Sequence, residues 1–301
     1  MWIDTHCHLD APEFAGNLSA VIKRASEKNV KAILLPAVRA ADFSRVKEVA
    51  HQYSQEIPGL VYTLGIHPLY TNLAKEGDIE ILEKKIFESL NDPRFVGIGE
   101  IGLDYFVEDL DPHKQEFFFN AQLQLAQKYQ LPVILHVRRS QDAILKSLRH
   151  CKVPSGIAHA FNGSFQQAEQ FIGLGFKLGF GGAATYERAL QIRRLLKELP
   201  LESIVTETDA PDIPPAWLKH EDITFNEPAF LPRIATELAS VRGISNAEFA
   251  DSVWRNAMQA LPRWAALSIY AATGLPLVSF LCLIFYVFFT HYDLTGRRRY
   301  Q

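Results

Sequence analysis

Two histidines separated by one residue, His6 and His8, sit in the opening run MWIDTHCHLD. Trp2 and Ile3 start an apolar stretch that reads as a short strand, and residues two apart on a strand face the same way. Both imidazoles therefore converge on one point just past the strand end. One strand cannot fill a metal's coordination shell, so other segments must supply the remaining ligands. Candidates interrupt other apolar stretches: His67 in VYTLGIH, Glu100 in FVGIGEIGLD, His136 in PVILHV, His159 in GIAHAF, and Glu207 and Asp209 in IVTETD. Imidazole and carboxylate together suit Zn, Mn or Fe, whereas carboxylate alone favours Mg. A glutamate able to bridge, with His and Asp on either side, is a natural two-metal arrangement for activating water.

Each residue also has an ordinary explanation. A single histidine at a strand end is more often a hydrogen-bonded core or rim residue, and His51, His113, His150 and His220 are assigned to that class. Glu100 could be an isolated buried carboxylate, which is costly without a partner. Asp209 could cap a turn. One shared site explains all six stretches at once, and the ordinary readings require six coincidences.

Elements that could bring these residues together follow from the hydrophobic pattern. After the first strand, strand-like runs fall at 30–38, 61–67, 95–104, 132–137, 156–161, 177–182 and 204–209. Helical spacing covers 17–29, 41–55, 79–90, 112–129, 140–150, 165–174 and 187–199, and two more helices at 228–242 and 246–261 close the body. Near-continuous apolar strands suit a parallel sheet covered on both faces. Eight strand–helix units over roughly 260 residues predict the α/β class and a (β/α)8 TIM barrel, with the candidate ligands gathered at the C-terminal mouth. A doubly wound open sheet is the alternative, but no Gly-x-Gly-x-x-Gly or Walker loop follows the first strand.

The chain has 301 residues, of which 48% are hydrophobic, enough for a large core. Its three cysteines, Cys7, Cys151 and Cys282, fit no zinc or disulfide pattern, which suits a reducing, cytoplasmic compartment. The N-terminus lacks the basic and apolar regions of a signal peptide. Excluding the last 38 residues, the body carries 28 basic and 33 acidic residues, a formal −5. That balance argues against wide electrostatic wrapping of duplex nucleic acid. It leaves open the gripping of a strand end with metal ions supplying positive charge.

Taken in order, DTHCHLD, GIHP, GEIGLD, the histidine of PVILHVRR, HAFNGS and ETDAP resemble the motifs of TatD-type metal-dependent deoxyribonucleases, most closely the YjjV-like bacterial branch. The resemblance runs over residues 2–260. It implies an amidohydrolase-type TIM barrel, two divalent ions (Mg, Mn or Zn) and hydrolysis of a phosphodiester in nucleic acid, such as single-stranded DNA or strand ends, in a 3′-5′ exonuclease-like manner. By the same resemblance His6, His8 and Asp209 would hold one ion, His136 and His159 the other, and Glu100 would bridge. Asp209 and Glu100 would be the catalytic carboxylates, with Asp209 as general base. His67 and Tyr105 match positions near the substrate phosphate, and both can donate hydrogen bonds to it. Glu207 would orient a histidine from behind. Arg138 and Arg139 are further candidate phosphate contacts, with a solvated helix start as the ordinary reading. Two departures stand out: HAFNGS replaces the usual HCFSGS or HGFSGS, and Phe225 precedes Asn226-Glu227-Pro228 where an arginine is common. Hydrolysis of another ester or amide, such as D-aminoacyl-tRNA, and a non-catalytic metal-binding scaffold are the alternatives. The protein is expected to be a monomer.

The barrel is expected to occupy residues 1–262 and an extension 263–301. Residues 264–290 contain no Asp, Glu, Lys or Arg. At 1.5 Å per residue they are long enough for a tilted transmembrane helix outside the barrel, with Trp264, Tyr286 and Tyr292 at membrane interfaces; a hydrophobic terminal helix packed on the barrel, or a fused tail outside the family domain, is the alternative. Such a helix would anchor the body to the inner membrane, although Arg297, Arg298 and Arg299 would then favour the same side as the barrel.

Overall fold

Alternating apolar runs and amphipathic segments fold into a ring in the computed structural model, which describes residues 1–273 apart from 222 and 224. The described residues form eight parallel strands: β1 (Trp2–Asp4), β2 (Val30–Pro36), β3 (Gly59–Leu64), β4 (Phe95–Asp104), β5 (Val133–Arg138), β6 (Gly156–Ala158), β7 (Phe176–Phe180) and β8 (Ile204–Thr206). They pair in chain order. The seam between the last strand and the first is tied by Thr5 N–H donating to Thr206 O (3.0 Å), Asp209 N–H to His6 O (2.9 Å) and His8 N–H to Ala210 O (2.8 Å). The expected (β/α)8 barrel is the observed architecture. All ten residues of β4 are buried, as a parallel sheet covered on both faces requires.

The covering helices are α1 (Leu18–Glu27), α2 (Phe43–Gln52), α3 (Gly77–Ser89), α4 (Pro112–Tyr129), α5 (Gln141–His150), α6 (Phe165–Gly173), α7 (Leu190–Glu198), α8 (Leu231–Arg242) and α9 (Asn246–Ala260). Their apolar stripes face the strands: α1 buries Leu18, Val21, Ile22 and Ala25, which is helical spacing for one face. Local chemistry sets the ends. Asp111 accepts from the N–H groups of His113 and Lys114 ahead of α4, with Pro112 at its first turn. Ser164 and Gln167 form a reciprocal capping box for α6.

Strands β6 and β8 are shorter than their apolar runs. The chain leaves the ladder where Ala160 (φ 44°) and Asp209 (φ 58°) adopt left-handed backbone. His159 and Asp209 are therefore carried on strand-to-loop turns and not in the ladder itself.

The chain continues after α9 into α10 (Pro262–Thr273). Here one expectation is corrected. Trp264 does not lie at a membrane interface: it is fully buried, and its Nε1–H donates to Gly59 O at 2.9 Å. Beside it, the Arg263 guanidinium donates to the carbonyls of Phe95 (2.6 Å), Leu90 (2.8 Å) and Asp92 (3.0 Å). Gly59 and Phe95 begin β3 and β4, so this side-chain pair packs under those two strands at the end opposite the histidines. Burial of the large ring there accounts for an uncharged aromatic without lipid. Among the described residues no helix is long and apolar enough to cross a membrane. Residues 274–290 of the expected span lie outside the described residues.

Candidate metal centre

Glu100 lies in β4 with its side chain 1% exposed, and its two oxygens face different sets of imidazoles. Oε2 is 3.0 Å from His6 Nε2 and 3.5 Å from His8 Nε2. Oε1 is 3.0 Å from His67 Nε2, 3.0 Å from His136 Nδ1 and 2.9 Å from His159 Nε2. Asp209 Oδ1 completes the cluster at 3.5 Å from His6 Nε2, 3.8 Å from His8 Nε2 and 3.9 Å from His159 Nδ1. The structure thus brings together all six expected ligands and His67.

The donor set fits divalent cations. Three ring nitrogens crowd one carboxylate oxygen that has two lone pairs. The Nε2 atoms of His6 and His8 face each other at 3.2 Å, and His159 Nε2 faces His136 Nδ1 at 3.4 Å. One oxygen with two lone pairs cannot pair with all three ring nitrogens by hydrogen bonds. A cation shared among them does so, and an imidazole–carboxylate mixture is the chemistry Zn or Mn prefers. Ligand atoms lie close enough to hold an ion in three groupings: His6, His8 and Glu100; His6, His159 and Asp209; and His67, Glu100 and His136. Glu100 belongs to two of them through different oxygens.

Burial and neighbouring charge set the protonation states. Burial raises the Glu100 carboxyl, but the histidines around it outweigh that and hold it well below the usual range. Burial lowers His8 and His159, yet Glu100 and Asp209 hold them up at about 9 and about 10. For His6 burial prevails and the imidazole falls well below its ordinary value. Burial also takes His67 down to about 4. His67 Nδ1 accepts the Leu69 N–H at 3.1 Å, so the proton of the neutral ring resides on Nε2, facing Glu100. That tautomer suits a hydrogen-bond donor better than a ligand.

A further layer supports the ligands, and most of it escapes sequence reasoning. Asp104 Oδ2 lies 2.9 Å from His136 Nε2, while Oδ1 accepts the N–H groups of Phe106 (2.9 Å) and Val107 (3.2 Å). Asp4 accepts from His6 N–H (3.2 Å), Thr208 N–H (2.9 Å) and Thr208 Oγ1 (2.6 Å), clasping β1 to the segment after β8. Burial raises its carboxyl to about 7. From α4, the amides of Gln115 and Gln122 bracket Asp104 and Ile66, the residue before His67. The available signal was a pair of glutamines seven apart on the buried face of a helix.

Other expected residues are placed differently from one another. Glu207 accepts the Ala160 N–H, next to His159, and its Oε1 is 3.9 Å from His159 Nδ1, beyond hydrogen-bond reach. Burial pushes its carboxyl up to about 8. It fits because residue 179 is glycine: a Cβ there would collide with the Glu207 carboxylate. The Tyr105 hydroxyl, at the rim, donates to Glu116 at 3.0 Å and to none of the converging groups. Asn226 Nδ2 donates to Thr208 O at 2.8 Å and braces the Asp209 turn, and Glu227 pairs with Arg24. Phe225 packs edge-on against Phe14. Cys7 is buried in the hydrophobic core, and burial pushes its thiol well up, so it is not a nucleophile.

Comparison with known proteins agrees with this geometry. The family model described as "TatD related DNase" matches residues 3–262. An "Uncharacterized metal-dependent hydrolase YjjV" from Escherichia coli (strain K12) is 38% identical over 256 residues, covering 85% of this chain and 95% of that protein. A "3'-5' ssDNA/RNA exonuclease TatD" from Klebsiella pneumoniae (strain 342) is 33% identical over 246 residues, covering 80% and 90% respectively. The crystal structure of the Escherichia coli YjjV protein superposes with a TM-score of 0.81 at 37% identity, covering 87% of this chain and 98% of that one. With its barrel, its imidazole–carboxylate cluster and these relatives, the chain belongs to the TatD-related family of metal-dependent hydrolases.

Proposed function

We propose that this chain is a two-metal phosphodiesterase that cuts nucleic acid, working from single-stranded DNA or strand ends in a 3′-5′ exonuclease-like manner. The observation that carries the reading is the division of the Glu100 carboxylate, Oε2 toward His6 and His8 and Oε1 toward His136 and His159. One bridging carboxylate between two imidazole groups suits a pair of divalent ions. The relative named as an exonuclease supports the choice of substrate.

In this reading His6, His8 and Asp209 would hold one ion and His136 and His159 the other, with Glu100 available to both. Bound there, divalent ions supply positive charge to the scissile phosphate and lower the pKa of a nearby water. Asp209 is the general base: its Oδ1 faces the cluster from the β8 side and takes the attacking water's proton. His67, protonated on Nε2, would turn that donor from Glu100 to a phosphate oxygen, and Tyr105 at the rim would be the second donor once its hydroxyl leaves Glu116. Glu207 steadies the turn that carries His159 through the Ala160 N–H. The hydrolase is assigned to residues 1–262 acting as a monomer, with 263–301 as an extension. A reducing, cytoplasmic setting suits the free thiols of Cys7 and Cys151.

The test strips the full chain of metal, adds back Mg, Mn or Zn, and follows an end-labelled single-stranded oligonucleotide beside a D-aminoacyl-tRNA. Stepwise shortening of the oligonucleotide that depends on metal and is abolished in Glu100→Ala/His136→Ala is the expected result. Cleavage that proceeds equally without metal, or turnover of the charged tRNA alone, overturns the reading.

A further inference from the structure

Three side chains beside the cluster have no part in ligand binding and form an unusual arrangement. Arg138 and Arg139 both lie over the ring of Phe106, their guanidinium carbons 3.8 Å and 4.6 Å from its centroid. Consecutive residues of an extended strand point to opposite faces. Here they do not, because Arg139 takes left-handed backbone at φ 55°, which a residue with a side chain rarely adopts. Such a backbone directs attention to function. Its result is two adjacent cations held on one aromatic ring that is itself 43% exposed.

The two charges are poorly compensated. Arg138 has one acidic neighbour, Asp104, at 3.9 Å, and that carboxylate is already engaged by His136 at 2.9 Å. Among the described residues Arg139 forms no ion pair. By contrast Arg39, elsewhere on the mouth, is held by two hydrogen bonds to Asp42, at 2.8 Å and 2.9 Å. Like charges crowded without a counter-ion are unfavourable unless an anion joins them. Guanidinium groups stacked on a ring keep their in-plane N–H groups free to fork onto a phosphate.

Position says which phosphate. Arg138 follows His136 by two residues on β5, and Asp104 touches both. Two residues along a strand span about 6.6 Å, on the order of the step between neighbouring phosphates of an extended nucleic-acid strand. We propose that Arg138, Arg139 and Phe106 form a strand-gripping subsite that binds the backbone phosphate next to the scissile one. This rests on the phosphodiesterase reading above and narrows its substrate to polymeric single strands. In a body of net negative charge, such a local pair supplies the attraction for a polyanion that the surface as a whole lacks.

The test measures equilibrium binding of a fluorescein-labelled oligothymidylate to the metal-stripped full chain by anisotropy, across a range of NaCl. Metal-dependent cleavage of the same oligonucleotide by the wild type is followed in parallel. Arg138→Gln/Arg139→Gln is expected to weaken binding about tenfold and to flatten the plot of log affinity against log salt by about 0.7 for each phosphate no longer neutralised. Arg138→Lys/Arg139→Lys keeps the salt slope and recovers only part of the affinity, which misfolding would not produce. If the glutamine variant matches wild type in affinity and slope while wild type binds and cuts, this subsite is wrong and the phosphodiesterase reading stands. A wild type that neither binds nor cuts the oligonucleotide overturns both.

Discussion

Asp104 and His136 meet at 2.9 Å between Oδ2 and Nε2, leaving Nδ1 of the same ring 3.0 Å from Glu100. The carboxylate fixes the proton on Nε2 and presents the Nδ1 lone pair to the centre of the cluster. Partners of this kind tune metal affinity: their removal typically reduces affinity or activity roughly 10–100-fold. Asp104→Asn can donate to Nε2 and so favours the wrong tautomer. It is expected to lower metal affinity by about that factor, read by calorimetric titration of the stripped protein. Unchanged affinity would show that Asp104 serves only the turn at Phe106 and Val107.

Glu100 is the residue whose loss affects both halves of the site. In Glu100→Gln the charge that balances the surrounding imidazoles is gone, and an amide is a poor bridging ligand. Metal content by elemental analysis is expected to fall for every site in the cluster. His8→Ala, by comparison, removes a residue that touches only the Oε2 side, and should leave one ion bound. If the two variants lose equal metal, the bridging role is mistaken.

Asp92, at the opposite end of the barrel, makes stability depend on acid. Burial raises its carboxyl, but His51 at 2.8 Å, the Arg94 N–H at 3.0 Å and the Tyr62 hydroxyl at 2.9 Å outweigh this and hold it below the ordinary value. A carboxyl depressed in the folded state stabilises the fold above its unfolded pKa of about 3.9, and that contribution disappears as pH falls below it. Wild-type thermal midpoints should therefore drop from pH 5 downward. Asp92→Asn should be less stable near neutral pH, on the order of 2 kcal/mol for lost charged hydrogen bonds, and less sensitive across that acid window. Parallel melting curves from pH 3 to 7 would contradict this assignment.

Gly179 is tested through its neighbour. Ala at this position would press its methyl into the Glu207 carboxylate, which is held by the Ala160 N–H. Overpacking of this kind costs about 1–3 kcal/mol, so Gly179→Ala should lower the urea midpoint. Gly173→Ala, at the end of α6 where a Cβ meets nothing within 4 Å, should leave it unchanged or raise it slightly.

Trp264 belongs to the barrel, and its removal should show it. Fully buried tryptophan replaced by alanine costs about 3–5 kcal/mol, and the Trp264 N–H bond to Gly59 would go as well. A chain ending at residue 262 should melt well below one ending at residue 273. Equal melting temperatures would show that residues 1–262 fold as stably without the Trp264 ring.

Much of this was readable in the chain. Each of the ligand histidines interrupts an apolar run near its end, and parallel strands bring such ends together whatever their distance in sequence. Asp104 was hidden because a carboxylate after a strand also serves turns, and here it does both. Asp4 was hidden because its partner, Thr208, is about two hundred residues away across the seam. The left-handed turns at Ala160 and Asp209 shortened two strands that hydrophobicity alone extends. Trp264 misled because hydropathy is the same for a ring facing lipid and a ring filling a barrel.

The seam between β8 and β1 has a consequence for folding. His6 and His8 precede Asp209 by about two hundred residues, and Asp209 meets them only when the last strand has docked. A chain without its last strand lacks the closed wall and one member of the candidate ligand set. Onset of metal binding would therefore time the final step of folding.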